Sequence, residues 1–519
     1  MAGAELTAPA PPRDSALRRR LAAAGTAVRR VPRPLVALLL AATVLSVAWA
    51  VVTAPLDGPD EIGHAAYVQQ LAETGDGPHG GETGTPSGPR DVSTEARALL
   101  FWANLDALAR NDGTRPAWSQ AEQDAYGRAA RGAARDDGAG PNPLAQNPPL
   151  YYAYETVPYA VGSGWSLPAR LLLMRLANLP LLWLVVGFSW LIMGELFGRR
   201  RRFVQTVGTG AVALLPMVTF LSGVINPEIA LTAVTTAAIA LGLAALRLGP
   251  RVPVVLGLGA LGAAGVLIHA RGLALLPAIA IVLALVLWRA RREPGGGRRL
   301  LVAGGALALM GVALAAALAY SNRHADVGNF SGELTGSGSS GLTNLGGLAS
   351  YVWQFYFSPL AGMLPPPGEG GVPGYRQIYV QQFLTGQFGS LEVQYGDTVY
   401  AVLQVVQALG LIALFALVVR HLGRVRAHAA QIVVLVAFLV SMLVLLHVAA
   451  WQDISSPAHA SLLAGRYLVC LAAILGVAVA SVVALLPRRV GVVLGAFVLA
   501  TGAVLCVGGI LVSLVRFYA

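Results

Sequence analysis

Lysine is absent from this 519-residue chain: all 37 basic residues are arginine. That excludes Schiff-base chemistry on a lysine and a phosphate-binding P-loop, both of which need the ε-amine. Charge of either sign is also scarce. Asp, Glu, Lys and Arg together make up 12% of residues, about half the usual share of a soluble domain. Too little charge remains to cover the surface of a soluble protein this long. Cysteine is limited to two residues, Cys470 and Cys506, each inside an apolar run. They imply no disulfide framework and read as small buried hydrophobes. Hydrophobic residues fill the gap, at 55% with a mean hydropathy of +0.63.

The apolar residues fall into runs of the ~20 residues needed to cross a ~30 Å hydrocarbon core. Eleven such runs are legible, near 35–54, 176–197, 203–225, 228–247, 252–269, 272–289, 300–320, 399–419, 429–450, 467–486 and 490–515. The first follows an Arg-rich segment but is too long for a cleaved leader, so it reads as a retained signal anchor. Orientation follows from arginine in the short connections. Segments 1–33, 198–202, 247–251, 289–299, 420–428 and 487–489, with the adjoining span ends, hold 23 arginines and four acids (Glu5, Asp14, Glu195, Glu293). The other side keeps 14 arginines and 22 acids. The sequence therefore predicts an all-α polytopic membrane protein with about eleven transmembrane helices, in a plasma membrane, N-terminus cytoplasmic and C-terminus extracytoplasmic. Its expected parts are a basic segment 1–34, a first span 35–54 and an outer loop 55–170. Spans two to seven follow within 171–320, then a second outer loop 321–398 and spans eight to eleven within 399–519. The first loop carries Gly/Pro/Asp-rich turns (76–90, 136–143) and two expected surface helices, near 91–111 and 117–135. The second starts with "SGELTGSGSSGLTNLGG", expected to be a mobile lid, and turns into the aromatic, Gln-rich "YRQIYVQQFLTGQFGSLEVQYGD", expected to be ordered at the interface.

Ionisable groups recur at the outer span ends. "PLDGPDEIGHAAYVQQ" (55–70) leaves the first span with Asp57, Asp60, Glu61 and His64. Pro59 suits the first turn of a helix running to about Thr74. The acids there either complement the helix dipole, with Asp57 as a cap, or work with His64 on the same helical face as a general base or cation ligand. "NPLAQNPPLYYAYETVPYAVG" (142–162) presents Tyr151 and Tyr152, either as an interfacial aromatic belt or as substrate lining. Arg170 and Arg175 sit on the outer side against the positive-inside bias, so they either snorkel to headgroups or hold an anion. "SGVINPEIAL" (222–231) brings Asn226 and Glu228 to a hairpin that is also ordinary turn chemistry. "LIHARGLALLP" (267–277) places His269 and Arg271 between two short spans, so Arg271 is expected below the headgroup plane. "SLLAGRYLVC" (461–470) adds Arg466 and Tyr467. Acids beside arginines on one membrane face suit a substrate with a lipid-phosphate anion and a hydroxyl nucleophile, since arginine forks match phosphate oxygens and a carboxylate can take the hydroxyl proton.

In this order the residues resemble the GT-C superfamily of membrane glycosyltransferases, and within it a bacterial branch known as a domain of unknown function. The matching positions are Pro59, Asp60, Glu61 and His64, then Pro148 to Tyr152, then Ser222, Asn226, Pro227 and Glu228, and late in the chain Gly465 to Leu468. In this chain Pro59 directly precedes Asp60, one residue closer than in the branch's pattern. The resemblance covers roughly residues 35–486. It implies a GT-C-like fold, a polyprenyl-phosphate sugar donor and inverting transfer to an extracytoplasmic acceptor, with Asp60 or Glu61 as general base. Arg271 stands where related proteins carry a basic residue near the lipid phosphate. Arg466 is a second phosphate candidate, with Arg175 and Arg170 behind it. A divalent cation, Mg or Mn, is compatible with the family, and no D-x-D motif decides the point. The 76–143 insertion departs from the pattern and would be an acceptor platform or partner site. Expected partners are the lipid-linked donor, the acceptor and the bilayer, with no nucleic acid. Two alternatives stay open: a flippase or transporter of a lipid-linked glycan, and a non-catalytic subunit of envelope-glycan assembly.

Overall fold

The structure is a computed structural model that describes residues 31–80, 92–105, 115–116, 119–138, 142–292, 294–324, 345–363, 378–454 and 464–519. Most of the basic N-terminal segment, the centres of the Gly-rich turns of the first loop and most of the expected mobile lid lie outside the described residues.

Helix α1 (Arg33–Val52) carries Pro34 in its first turn, where the missing N–H is harmless. α2 (Glu61–Thr74) is closed by left-handed Gly75, whose N–H returns to the Leu71 carbonyl. Two short surface helices follow where they were expected, each with a serine cap. Ser93 accepts from the Ala96 N–H at the start of α3 (Thr94–Trp102), and Ser119 forms a capping box with Glu122 at the start of α4 (Gln120–Ala129). α5 (Leu150–Val161) and α6 (Leu167–Ala177) lead through Asn178 into α7 (Leu179–Phe197). Next come α8 (Arg202–Ala213), α9 (Pro216–Leu221), α10 (Glu228–Leu248) and α11 (Val252–Ile268). A 3-10 turn, Ala270–Ala274, enters α12 (Leu275–Arg289), followed by α13 (Gly296–His324) and α14 (Leu345–Tyr356). A π-type turn, Tyr379–Thr385, and a tight loop with one isolated bridge between Phe388 and Val393 precede α15 (Asp397–Arg420). The chain ends with α16 (Leu422–Ala427), α17 (Ala429–Ile454), the 3-10 segment Gly465–Leu471, α18 (Ala472–Leu485) and α19 (Arg488–Tyr518).

The protein is all-helical, with no strand among the described residues. There, nine helical stretches are long and apolar enough to cross a membrane, so it is a multi-pass membrane protein. The other two of the eleven expected runs also fold as helix, one in two pieces and one slightly shorter. The run 203–225 breaks between α8 and α9, because Pro216 lacks the N–H and its ring would clash with the carbonyl four residues back. The run 252–269 ends at 17 residues, where His269 turns extended.

α10 is the hub, buried along most of its length, whereas α15 faces outward except at Tyr400. Four links meet at the N-terminal end of α10. They are the exit from α1 (53–60), the turn before α10 (222–227), the turn after α11 (269–274) and the entry to α18 (464–471). At the far end of α10, about 30 Å away for 21 residues, Arg247 pairs with Glu195 at 3.0 Å.

Candidate functional site

The four links bring together side chains that are up to 406 residues apart in the chain. Asp60 precedes α2 in the left-handed region, φ 57° and ψ 14°. For a non-glycine residue that conformation is uncommon and is concentrated at functional positions. Its carboxylate is ion-paired to Arg466 Nη2, and 51% of its side-chain surface stays accessible. Protein crowds it on the other sides. Burial pushes its carboxyl upward, but Arg466, then His64 and Arg271, outweigh that and hold it below the usual aspartate range. Asp60 is thus an ionised carboxylate on the wall of an open cleft.

Arg466 is held by the shape of its own segment. A Cβ added to Gly465 would lie 2.4 Å from the Ile378 carbonyl oxygen, so only glycine permits this approach to the Tyr379–Thr385 turn. The Gly465 N–H donates to Gln382 Oε1 at 2.6 Å. Arg466 Nε lies 3.4 Å from Glu228 Oε1, which also accepts from Arg271 Nη1 at 3.1 Å. The Arg271 guanidinium stacks 3.6 Å above the Tyr467 ring, and Arg466 stands 5.4 Å from the same ring. His269 borders the group, 3.2 Å from Arg271 Nη2. Two arginines and two carboxylates therefore form one cluster, in which Glu228 Oε2 has no hydrogen-bond partner.

Asn226 closes the cluster underneath. Its Nδ2 donates to the Pro59 carbonyl, its Oδ1 accepts from the Glu228 N–H, and its own N–H donates to the Tyr151 hydroxyl. His64 is buried, with Nδ1 3.0 Å from the Tyr152 hydroxyl. Burial lowers His64 to about 4, partly opposed by Asp60, so the ring is neutral at physiological pH. Tyr152 stacks on Tyr67 at 3.6 Å and accepts from Asn147 Nδ2.

Glu61 and Arg175 have a different setting. Arg175 Nε and Nη2 reach the two Glu61 oxygens at 2.8 and 2.5 Å, and the remaining donors go to the carbonyls of Ala50, Thr53 and Ala54. That uses all five guanidinium N–H groups. Glu61 also accepts from the N–H groups of Gly58 and Ile225 and is fully buried. The pair ties the end of α1, the start of α2 and the turn before α10 together. Arg170 lies in a separate cluster beneath α3. It is paired to Glu95, which Arg135 also approaches at 3.3 Å, and stands 4.8 Å over the Tyr159 ring. The structure thus gathers Asp60, His64, Tyr152, Asn226, Glu228, His269, Arg271, Arg466 and Tyr467, places Glu61, Arg175 and Tyr151 in its supports, and sets Arg170 apart from it.

Asp57 does not cap α2 as expected. It is buried and accepts from Ser390 Oγ at 3.2 Å, and burial with the neighbouring Glu392 drives its carboxyl upward. The Gly58 N–H is taken by Glu61 instead. Sequence reading took Asp57 only as a cap and passed over its neighbour Glu392, along with Asn147 and Glu155. Glu155 is wholly buried on α5 with neither oxygen hydrogen-bonded, and burial pushes it to about 8. Its signal was available: it follows Tyr151 by four residues, on the same helical face.

A divalent cation does not fit this donor set. The two cluster carboxylates already converge on Arg466, whose charge fills the place a cation would take. Among the described residues no three His, Cys, Asp or Glu side chains group as metal ligands.

The chain belongs to the family described as predicted membrane protein (DUF2142), which matches residues 43–475, from α1 into α18. No curated protein and no solved structure matches it.

Proposed function

We propose that this DUF2142 protein is an inverting glycosyltransferase that moves a sugar from a polyprenyl-phosphate donor to an acceptor outside the membrane. The observation that carries the reading is the Asp60 carboxylate: ionised, half open, and set against Arg466 and Arg271 at the mouth of the first span. The arginine-rich turns at the other end of the bundle would be cytoplasmic by the positive-inside rule, which puts the cluster on the extracytoplasmic face. A donor whose prenyl chain stays in the bilayer would present its phosphate at that depth.

Arg271 and Arg466 supply guanidinium forks for that phosphate. As the phosphate takes Arg466, Asp60 loses its strongest stabilising partner and becomes a better base. The acceptor hydroxyl attacks the anomeric carbon from the face opposite the phosphate and gives its proton to Asp60. The bond from that carbon to the phosphate oxygen breaks, and polyprenyl phosphate leaves with the electron pair, its charge met by the two arginines. Neutral His64, anchored on Tyr152, positions Asp60, while Tyr467 and Asn226 shape the floor. Glu61 and Arg175 hold the frame. Placement of the ionisable groups at the ends of the bundle, away from the middle of its spans, favours surface chemistry over passage of a glycan through it.

Native mass spectrometry of gently solubilised protein tests this. The wild type should retain an adduct with the mass of a polyprenyl phosphate plus one sugar, and Arg271→Ala should lose it. On incubation with cell-envelope extract, the wild-type adduct should shed its sugar mass, and the Asp60→Asn adduct should keep it. Normal shedding by Asp60→Asn would sink the assignment. An adduct carrying a whole oligosaccharide would point to a flippase.

A further inference from the structure

At the end of the bundle opposite Asp60, four arginines converge on one pocket. Arg247 ends α10, Arg251 precedes α11, Arg289 ends α12 and Arg299 lies in the first turns of α13; together they line a cavity of about 490 Å³. Buried Val286 and Ala290 form part of its floor. The volume lies in the range of small-molecule sites, roughly 300–1,000 Å³. Among the described residues none that lines it is acidic. Arg247 is neutralised by Glu195 at 3.0 Å, and Arg299 is steadied by the Ala290 carbonyl at 2.9 Å. Positive charge in short connections is common to membrane proteins, but a scattered belt would not bring four arginines to one open pocket.

The surroundings name the class of ligand. Leu300 and Leu301, next to Arg299, expose 65% and 77% of their surface, and Trp288, beside Arg289, exposes 60%. Trp288 also carries Arg291 over its ring at 4.3 Å, an amphipathic pairing typical of the headgroup level. A molecule with its anion in the pocket would thus lay an apolar part against α13. We propose that this pocket binds the phosphodiester headgroup of an anionic phospholipid, with the acyl chains along Leu300 and Leu301. Guanidinium forks suit phosphate oxygens, and basic pockets between membrane helices recognise such headgroups. The site lies about one bilayer thickness from Asp60 and stands independently of the transferase reading.

The test uses the full-length, delipidated protein in detergent and native mass spectrometry. The probes are short-chain phosphatidylglycerol, short-chain phosphatidylcholine and inorganic phosphate. Phosphatidylglycerol should be retained at least about tenfold better than phosphatidylcholine, and the double variant Arg251→Gln/Arg289→Gln should lower its retention about tenfold or more. Arg251→Lys/Arg289→Lys should keep most of the binding, which separates lost charge from lost fold. Arg488→Gln, an exposed arginine outside the pocket, should change nothing. Equal retention of the two lipids, or unchanged phosphatidylglycerol binding in the double glutamine variant, would overturn the proposal. Inorganic phosphate that displaced phosphatidylglycerol at equal concentration would assign the pocket to a soluble phosphate and overturn the lipid.

Discussion

Asp60 keeps half of its side chain open and has one close ionic partner, whereas Glu61, the next residue, is sealed and accepts four hydrogen bonds. Their arginines differ in the same way. Arg175 spends every donor on protein groups, and Arg466 shares its charge between Asp60 and Glu228. A carboxylate with all its acceptor positions filled can neither take a proton nor let go of its partner without unfolding the link it holds. A carboxylate with one partner and an open flank can do both. Two adjacent acids thus come to sit in settings suited to separate tasks through burial and hydrogen-bond saturation.

The largest expected effects come from breaking the two acids separately. Glu61→Gln leaves a buried guanidinium short of a counter-ion, a loss of about 3–5 kcal/mol. It should lower the unfolding temperature sharply in a thermal melt and reduce the yield of folded protein. Asp60→Asn should melt within a degree or two of the wild type and lose about 10²–10⁴-fold in turnover. A variant pair with these outcomes exchanged would overturn the division of labour.

Next in size is Arg466→Gln. Arg466 is the strongest of the groups holding the Asp60 carboxyl low. A general base works above its pKa, and activity is lost as pH falls through it. The wild-type acid limb of kcat/KM should therefore lie below the ordinary aspartate value of about 3.9. In Arg466→Gln it should move to higher pH, and donor retention should fall about tenfold. An unmoved acid limb would break the link between the two residues.

Much of this arrangement was legible in the sequence because membrane spans impose long apolar runs and leave polar groups conspicuous at their ends. Asp60, Glu228, Arg271 and Arg466 stood out for that reason. The break inside the run 203–225 did not show in its unbroken hydropathy, because it is a backbone effect of Pro216. What the sequence withheld was partnership. Nothing in "PDE" tells which acid Arg175 will enclose, since that depends on carbonyls of Ala50, Thr53 and Ala54 at the end of α1. The same holds for Arg170, which resembles Arg175 in position and yet pairs with Glu95 in the surface layer.

Glu155 tests whether sealing alone makes an acid structural. Unlike Glu61 it is buried without hydrogen bonds, and burial raises its folded pKa to about 8. A carboxyl raised above its unfolded value of about 4.3 binds its proton more tightly when folded. Its contribution to stability is therefore intact below pH ~4.3 and is lost as pH rises towards 8. Glu155→Gln should remove that slope and raise the unfolding temperature by a few degrees at pH 8. At pH 4 it should change little. A melt with the same pH slope in both proteins would show that Glu155 is hydrated or paired in solution.

The smallest effect concerns the hydroxyl that joins the frame to the open side. Tyr152 meets His64 and Asn147 through its oxygen while its ring stacks on Tyr67. Tyr152→Phe keeps the stack and deletes only the hydrogen bonds, worth about 0.5–1.5 kcal/mol each. If His64 merely fills space, the variant should lose a little stability and no turnover. If His64 orients Asp60, turnover should fall about three- to tenfold at unchanged donor retention, because the imidazole loses the anchor that fixes its ring. His64→Gln should then lower turnover in Tyr152→Phe less than in the wild type, since residues acting through one contact do not add. Full additivity of the two substitutions would remove His64 from the positioning of Asp60 and leave the open carboxylate with Arg466 as its sole guide.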